Sequence, residues 1–325
     1  QSDVLREQNA MIKAQLRDSE RSGQVRIALN IANQRQAMVR ELMSALATEV
    51  DQVRRLPDLI RPDAPKSSRR HKKSIRLSDG TYARILSTFG HLHPYRGLDP
   101  ESLDIDGTAS SPEQAELLRF LLAMQVDLHD LELGVADLRH ASLRYQEFDV
   151  SNPDFGEANL SHTDFSYVKF GATRLASANL SGANLTLATL PRVDLHDADL
   201  SGATLVRADL SWATLLGANL READLRQATI NRARFSGADL TGADIALVDF
   251  RRTDIRAEQA KSAHHWWLAL YNDEVSGALS MTPAVQASML EAFEETSKMN
   301  LDESEFTDRF EKLLEQFPNP EPNKP

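Results

Sequence analysis

From Phe155 to Ile255 every fifth residue is Leu, Ile or Phe, without a break across 21 consecutive units. Two residues before each stands a small residue, Ala in 14 of the 21 and otherwise Thr, Val or a single Pro. A period of five matches neither the 3.6-residue helix nor the two-residue strand. The chain must therefore turn a corner after each unit, and four corners close a square coil of about twenty residues, the internal-repeat signature of a solenoid. The large side chain then fills the axis, and only an Ala-sized group fits the corner beside it. Coils stack at the inter-strand spacing of about 4.8 Å. A weaker run in another register, Leu128, Leu133, Leu138, Leu143 and Phe148, precedes this one. The seven-residue step from Phe148 to Phe155 places an insertion or bulge at Val150-Ser151-Asn152-Pro153.

The four sides of each coil give four inward columns, which start at Phe155, Leu160, Phe165 and Phe170. The Phe residues lie towards the column ends, where wider rings fill space against a cap. The outward positions form four unlike walls. The first is mainly acidic, with Asp154, Glu157, Asp194, Asp197 and Asp254. The second is bland, rich in Ser and Gly. The third shows apolar groups, Tyr167, Leu187, Val206 and Leu247. The fourth carries Lys169, Arg192, Trp212, Arg232, Arg251 and Arg252 against Asp209 and Asp249. Arg, Trp and Tyr dominate binding hot spots, so Lys169, Arg192, Trp212, Arg232 and Arg252, with Tyr167, Leu187 and Leu247 on the third wall, are the candidate protein-binding residues.

The runs ASANLSGANL, DADLSGATL and GADLTGADI resemble the pentapeptide-repeat family, whose unit is a small residue, Asp or Asn, Leu and two variable residues. The resemblance implies a mainly β fold, a right-handed quadrilateral β-helix over residues 126–256, with an α-helical N-terminal stem and helical caps.

Residues 1–60 read as one long amphipathic, coiled-coil stem helix, since Val39, Leu42, Leu46, Val50 and Val53 recur at three and four. Ile12, Leu16, Ile27 and Ile31 extend the stripe upstream, and Pro57 and Pro62 end the helix. Such a helix needs a surface for its stripe, which a second copy of the chain, a membrane surface or the rest of the chain must supply, and a homo-oligomer through this helix is expected. Residues 61–77 form a basic linker in which Lys66, Arg69, Arg70, Lys72, Lys73 and Arg76 are candidate anion or lipid-headgroup ligands. A helical N-terminal cap is expected over 78–125. Ser78 starts its first helix, and Ser111, Pro112 and Gln114 start the second as a capping box. Residues 257–316 are expected to cap the other end, with His264–Tyr271 as a bulky helical lid followed by a helix pair. Residues 317–325 read as a disordered tail.

The charge is uneven. Residues 1–125 carry +3, residues 126–256 carry −6 and residues 257–325 carry −8, within a total of −11. The chain has no cysteine, which excludes disulfides, thiolate metal sites and cysteine nucleophiles. The histidine pairs His91/His93 and His264/His265 lack the partners of a closed zinc site. No phosphate loop, nucleophile elbow or metalloprotease motif is present. Neither a metal, a cofactor nor an enzymatic activity is expected. No run of about 18 apolar residues exists, so the chain as it stands does not span a bilayer. It begins at Gln1 within a helical pattern, and a segment N-terminal to it is expected.

QNAMIKAQ, RILSTFGHLHPYRGL and HHWWLALYNDEV further resemble bacterial membrane-anchored members of the family. That resemblance implies a stem at the cytoplasmic face of the inner membrane, where the basic linker would meet an anionic surface; a soluble cytoplasmic protein is the alternative. The expected function is a scaffold that binds a protein partner through its solenoid walls, without sequence-specific nucleic acid binding. The competing reading is a mimic of duplex DNA that binds DNA gyrase. It is disfavoured by the near balance of charge, 13 acids against 11 bases, over the regular repeats.

Overall fold

The structure is a computed structural model that describes residues 2–55, 75–92, 95–98, 105–110, 112–124, 126, 128, 133, 138–146, 148, 154–171, 173–298 and 303–320. Through the repeat, the residue before each inward side chain forms a parallel bridge to its counterpart twenty residues on. Four series run side by side, one per wall: Asp154↔Arg174, Asn159↔Asn179, Asp164↔Asn184 and Lys169↔Thr189 begin them. The inward Leu, Phe and Ala side chains they enclose are buried throughout.

The period explains the local geometry. Each corner is a β-turn closed by the small residue, as where Ala183 N–H donates to Leu180 O (3.0 Å). The third turn residue has a positive φ whether or not it is glycine: +63° at Glu157, +62° at Arg192, +64° at Trp212 and +60° at Arg232. A non-glycine residue in this region costs roughly 1–2 kcal/mol. Its N–H is used in return, since Trp212 N–H donates to Asn231 O in the next coil (2.9 Å). The Asp or Asn before the large residue accepts the N–H two residues ahead, as Asp199 Oδ1 does from Ser201 N–H (3.0 Å) and Asp209 Oδ1 from Ser211 N–H (2.9 Å). These are Asx turns. The recurring carboxylates are thereby parts of the turns.

The expectation of a mainly β chain needs correction. Among the described residues, named strands are confined to an antiparallel hairpin, β1 (Tyr95–Leu98) and β2 (Ile105–Ser110), and the solenoid walls are isolated bridges. A five-residue side spends so much of its length in the turn that no strand of ordinary length remains. The hairpin itself lies within a region expected to be helical, between α2 (Asp79–His91) and α3 (Pro112–Ala123).

The first coil is longer than the rest. Ser142 bridges Asp164, a step of 22 residues, which absorbs the extra pair between Phe148 and Phe155. Val150–Pro153 themselves lie outside the described residues. Rings gather at both column ends: Phe148 stacks on Phe170 (5.2 Å) and Phe250 stacks on Tyr271 (5.7 Å).

The stem helix, α1 (Ser2–Arg55), is 54 residues long, about 80 Å at 1.5 Å per residue. Val39, Leu42, Leu46 and Val50 are buried in the same core as α2, α3 and the solenoid. Upstream, Ile27 is 63% exposed, and Ile31 and Met38 are exposed too. The side chains of Ile12 and Leu16, and residues Pro57 and Pro62, lie outside the described set. Glu49 of α1 accepts the Ser78 N–H (2.9 Å) and the Thr81 hydroxyl at the N-terminus of α2. Arg54 donates to Met124 O just past α3 (3.3 Å). Burial raises the Glu49 pKa, but the hydrogen bonds from Ser78 and Thr81 and the charge of Arg84 outweigh it, and the carboxyl titrates below its ordinary value.

Ser111 lies outside the described residues, so the capping box expected there is not seen, and the structure shows a second use of Gln114. Its buried amide donates to Phe89 O (2.8 Å) and Leu92 O (2.9 Å), the terminal carbonyls of α2. The far end is closed in kind. After α4 (Ala257–Ser262) begins, Gln259 donates to Phe235 O (2.8 Å) and Ala238 O (2.9 Å) on the last coil.

His264–Tyr271 is not a helical lid. His264 and Leu270 bridge Asp244 and Asp249, so the ladder runs on through this segment, interrupted by one 3₁₀ turn, Trp266–Leu268. The third and fourth apolar columns end at Ile245 and Phe250 and need a further layer; Trp266, Ala269 and Tyr271 are buried in the axial core as that layer, while Leu268 and Leu270 join Leu247 in an outer cluster. After a short α5 (Asp273–Ala278), α6 (Pro283–Lys298) and α7 (Glu303–Gln316) pack against the outside of the third wall. The tail is anchored where it starts, since Trp267 Nε1 donates to Phe317 O (3.0 Å). Residues 321–325 lie outside the described set.

Candidate interaction surface

The turn residues of successive coils fall in line because they recur every twenty residues. On the fourth wall this aligns Arg192, Trp212 and Arg232, all exposed; Arg252, exposed too, follows at the next turn without their positive φ. Trp212 is 47% exposed, and the Arg232 guanidinium lies 4.5 Å from its ring centroid. A cation over an indole face is worth about 0.5–1 kcal/mol at an exposed site. The pair holds a flat, rigid surface open to solvent. Arg251, in contrast, is tied to Asp249 by two bonds (2.9 and 2.7 Å), which raise its pKa. Arg192, Arg232 and Arg252 form no ion pair among the described residues. Lys169 is exposed at the N-terminal end of the wall.

The third wall departs from expectation at one residue. Leu247, read as a binding residue, is only 1% exposed, because Met289, Ala292, Phe310 and Leu313 of α6 and α7 pack with it. It belongs to the protein's own interior. Tyr167 is exposed and Leu187 half-buried. Tyr145, which sequence reasoning passed over, stacks on Tyr167 (4.9 Å) and is exposed. The signal was available: the longer first coil sets the alignment at 22 residues, and Tyr145 precedes Tyr167 by that step. His140 and His162 stack in the same way on the second wall (5.0 Å).

On the acidic first wall Arg174 pairs with Asp154 (3.0 Å), His196 Nε2 lies 3.0 Å from Asp197, and Asp254 accepts the Phe235 N–H. Of the basic set near residue 70, Lys66, Arg69, Arg70, Lys72 and Lys73 lie outside the described residues, and Arg76 is exposed. Among the described residues no cluster of three metal-ligating side chains is found, and no helix is long and apolar enough to cross a membrane.

The pentapeptide-repeat family model matches in eight copies within residues 154–256. Among solved structures, alr5209, a pentapeptide repeat protein from Nostoc PCC 7120, is 32% identical over 34% of this chain and 82% of its own, with a TM-score of 0.25. Rfr23, a pentapeptide repeat protein from the cyanobacterium Cyanothece 51142, is 27% identical over 36% of this chain, with a TM-score of 0.23. The match spans 63% of Rfr23, less than two thirds of its length. QnrB1, a plasmid-mediated fluoroquinolone resistance protein, is 17% identical over 45% of this chain and 82% of its own, with a TM-score of 0.32. No curated protein matches. The unbroken five-residue period, the four ladders it builds and the eight matched copies place one conclusion beyond the geometry: the chain belongs to the pentapeptide-repeat family.

Proposed function

We propose that the chain is a non-enzymatic scaffold that binds a protein partner through its fourth wall. The observation that carries this reading is the Arg232–Trp212 pair, 4.5 Å apart and exposed, with Arg192 one coil before it and the exposed Arg252 at the turn that follows. A rigid aromatic platform flanked by guanidiniums fits a partner surface that offers carboxylates around an apolar centre. The axis is filled by buried Leu, Phe and Ala, so recognition falls to the outside. In the same reading the stem helix self-associates through Ile27, Ile31 and Met38. The basic segment around Lys66–Arg76 holds the assembly at an anionic membrane surface on the cytoplasmic side.

The test is affinity capture from native membranes with the Arg192→Ala/Trp212→Ala/Arg232→Ala variant beside the parent chain. Loss of one specific protein from the variant supports the reading; identical capture sinks it. Flotation with anionic vesicles, with Lys66, Arg69, Arg70, Lys72, Lys73 and Arg76 changed to Gln, tests the membrane element separately. Gyrase mimicry remains the competing reading, and the near balance of charge over the regular repeats weighs against it. Inhibition of gyrase supercoiling by the purified chain would reverse that order.

A further inference from the structure

The third wall is a single surface with two fates. At its C-terminal end Ala246 and Leu247 are buried under α6 and α7, with Phe310 and Leu313 of α7 in the same apolar cluster. Arg226, also on this wall, places its guanidinium 5.9 Å from the Phe310 ring. At the N-terminal end the equivalent positions are open. Tyr145 and Tyr167 stack on each other and are 63% and 42% exposed, and Leu187 and Val206 are half-buried.

We propose that this open stretch, Tyr145 to Val206, is a docking site for an acidic amphipathic helix of a partner protein. Three observations converge on that occupant. First, the stretch is continuous with a surface that the chain already uses to seat a helix. Second, α7 shows the chemistry the wall accepts: an apolar stripe through Phe310 and Leu313, with five acids against two bases along the helix. The open stretch carries two bases against one acid: Arg144 at one end, 5.4 Å from the Tyr145 ring centroid and 3.4 Å from Asp164 of the same wall, and Arg207 at the other. Third, the dimensions agree. Three coil steps span about 14 Å at about 4.8 Å each, the length of roughly ten helical residues. The stacked tyrosines supply a rigid anchor of the kind that dominates helix-in-groove binding.

This inference rests on the reading of the chain as an interaction module but uses a different wall, and the experiment separates the two. The probe is a fluorescein-labelled peptide of residues 303–320, titrated into the full chain and followed by anisotropy. Saturable binding is expected. It should weaken at least about tenfold in the Tyr167→Ser/Leu187→Ser variant, as loss of anchor contacts does. A probe with Glu305, Asp308, Glu311 and Glu315 replaced by Lys should not bind. The wall-four triple variant should bind the probe as the parent does. Absence of saturable binding, or equal affinity in the Tyr167→Ser/Leu187→Ser variant because the probe merely exchanges with the chain's own α7, overturns the proposal. Loss of binding in the wall-four variant alone also overturns it and moves the site to the Arg232–Trp212 ladder.

Discussion

The Asp254 side chain accepts the Phe235 N–H, a bond that earlier coils of the first wall make to a backbone carbonyl 19 residues ahead, as from Leu215 N–H to Arg234 O. Asp254 stands at the successor position on that wall, but no bridge joins it to Arg234 among the described residues, and its side chain takes the bond that a backbone carbonyl takes in earlier coils. Gln259 completes the closure at Phe235 O and Ala238 O. Buried or half-buried backbone groups left without partners cost about 1–3 kcal/mol each. Asp254→Ala and Gln259→Ala should each destabilise the chain by about that much. Hydrogen exchange should localise the loss to the coil containing Phe235, while the Leu180–Leu200 coils keep their protection.

The interior columns are close-packed, so they should resist change in both directions. Leu205, fully buried, should cost about 2–5 kcal/mol when changed to Ala. Ala203→Leu at the adjoining corner should cost about 1–3 kcal/mol, because the added atoms have no space there. Urea denaturation of the two variants would measure both, and a neutral Ala203→Leu would contradict the square packing.

The turn positions make a prediction of the opposite sign. Gln227 has a φ of +57°, so Gln227→Gly should stabilise by up to about 1 kcal/mol, once the greater freedom of glycine in the unfolded chain is discounted. At Gly217, with φ +67°, an added Cβ would sit 2.2 Å from Asp197 Oδ1. Gly217→Ala should lower the melting temperature.

Tyr271 gives the cap an alkaline limit. Its hydroxyl donates to Trp266 O (2.8 Å), and complete burial raises its pKa well above 10.0. A phenol whose folded pKa is raised contributes fully below its unfolded pKa, and that contribution falls as pH climbs from there towards the folded value. Stability should therefore decline above about pH 10 by up to about 1.4 kcal/mol per pH unit. Tyr271→Phe should start less stable, through loss of the hydrogen bond, and show a shallower alkaline decline in pH-dependent melts.

Glu49 gives the stem an acid limit. Its pKa is lowered in the folded chain, so its contribution is present above the ordinary value of 4.5 and is lost as pH falls below it. Exchange protection at the α2 N-terminus should weaken on acidification through that range. Glu49→Gln should lack this acid step.

The solenoid was legible in the sequence because its determinants are local and repeat: one large side chain per side and one Ala per corner, with an Asp or Asn to hold the turn. What the sequence hid depends on contacts distant along the chain. Leu247 occupies the same outward position as Leu187, and only the arrival of Phe310 and Leu313 from α7 separates their fates. Gln114 follows a Ser-Pro start that reads as a capping box, and nothing in that spacing tells that its amide also bonds the last carbonyls of α2. His264–Tyr271 drops the five-residue period, with Asp249 bridging Leu270 at a step of 21, so continuation of the ladder could not be seen from spacing. The candidate binding wall was legible as a list of exposed types, while the Arg232–Trp212 contact needed the stacking of coils to be known.

The 22-residue first coil shows that the stack tolerates rounds of unequal circumference, provided the inward side chains stay in file. The two additional residues leave the parallel bridge from Ser142 to Asp164 intact. The vicinity of Val150–Pro153 is thus a natural graft point, where a foreign epitope or tag could be displayed while the recognition walls keep their spacing.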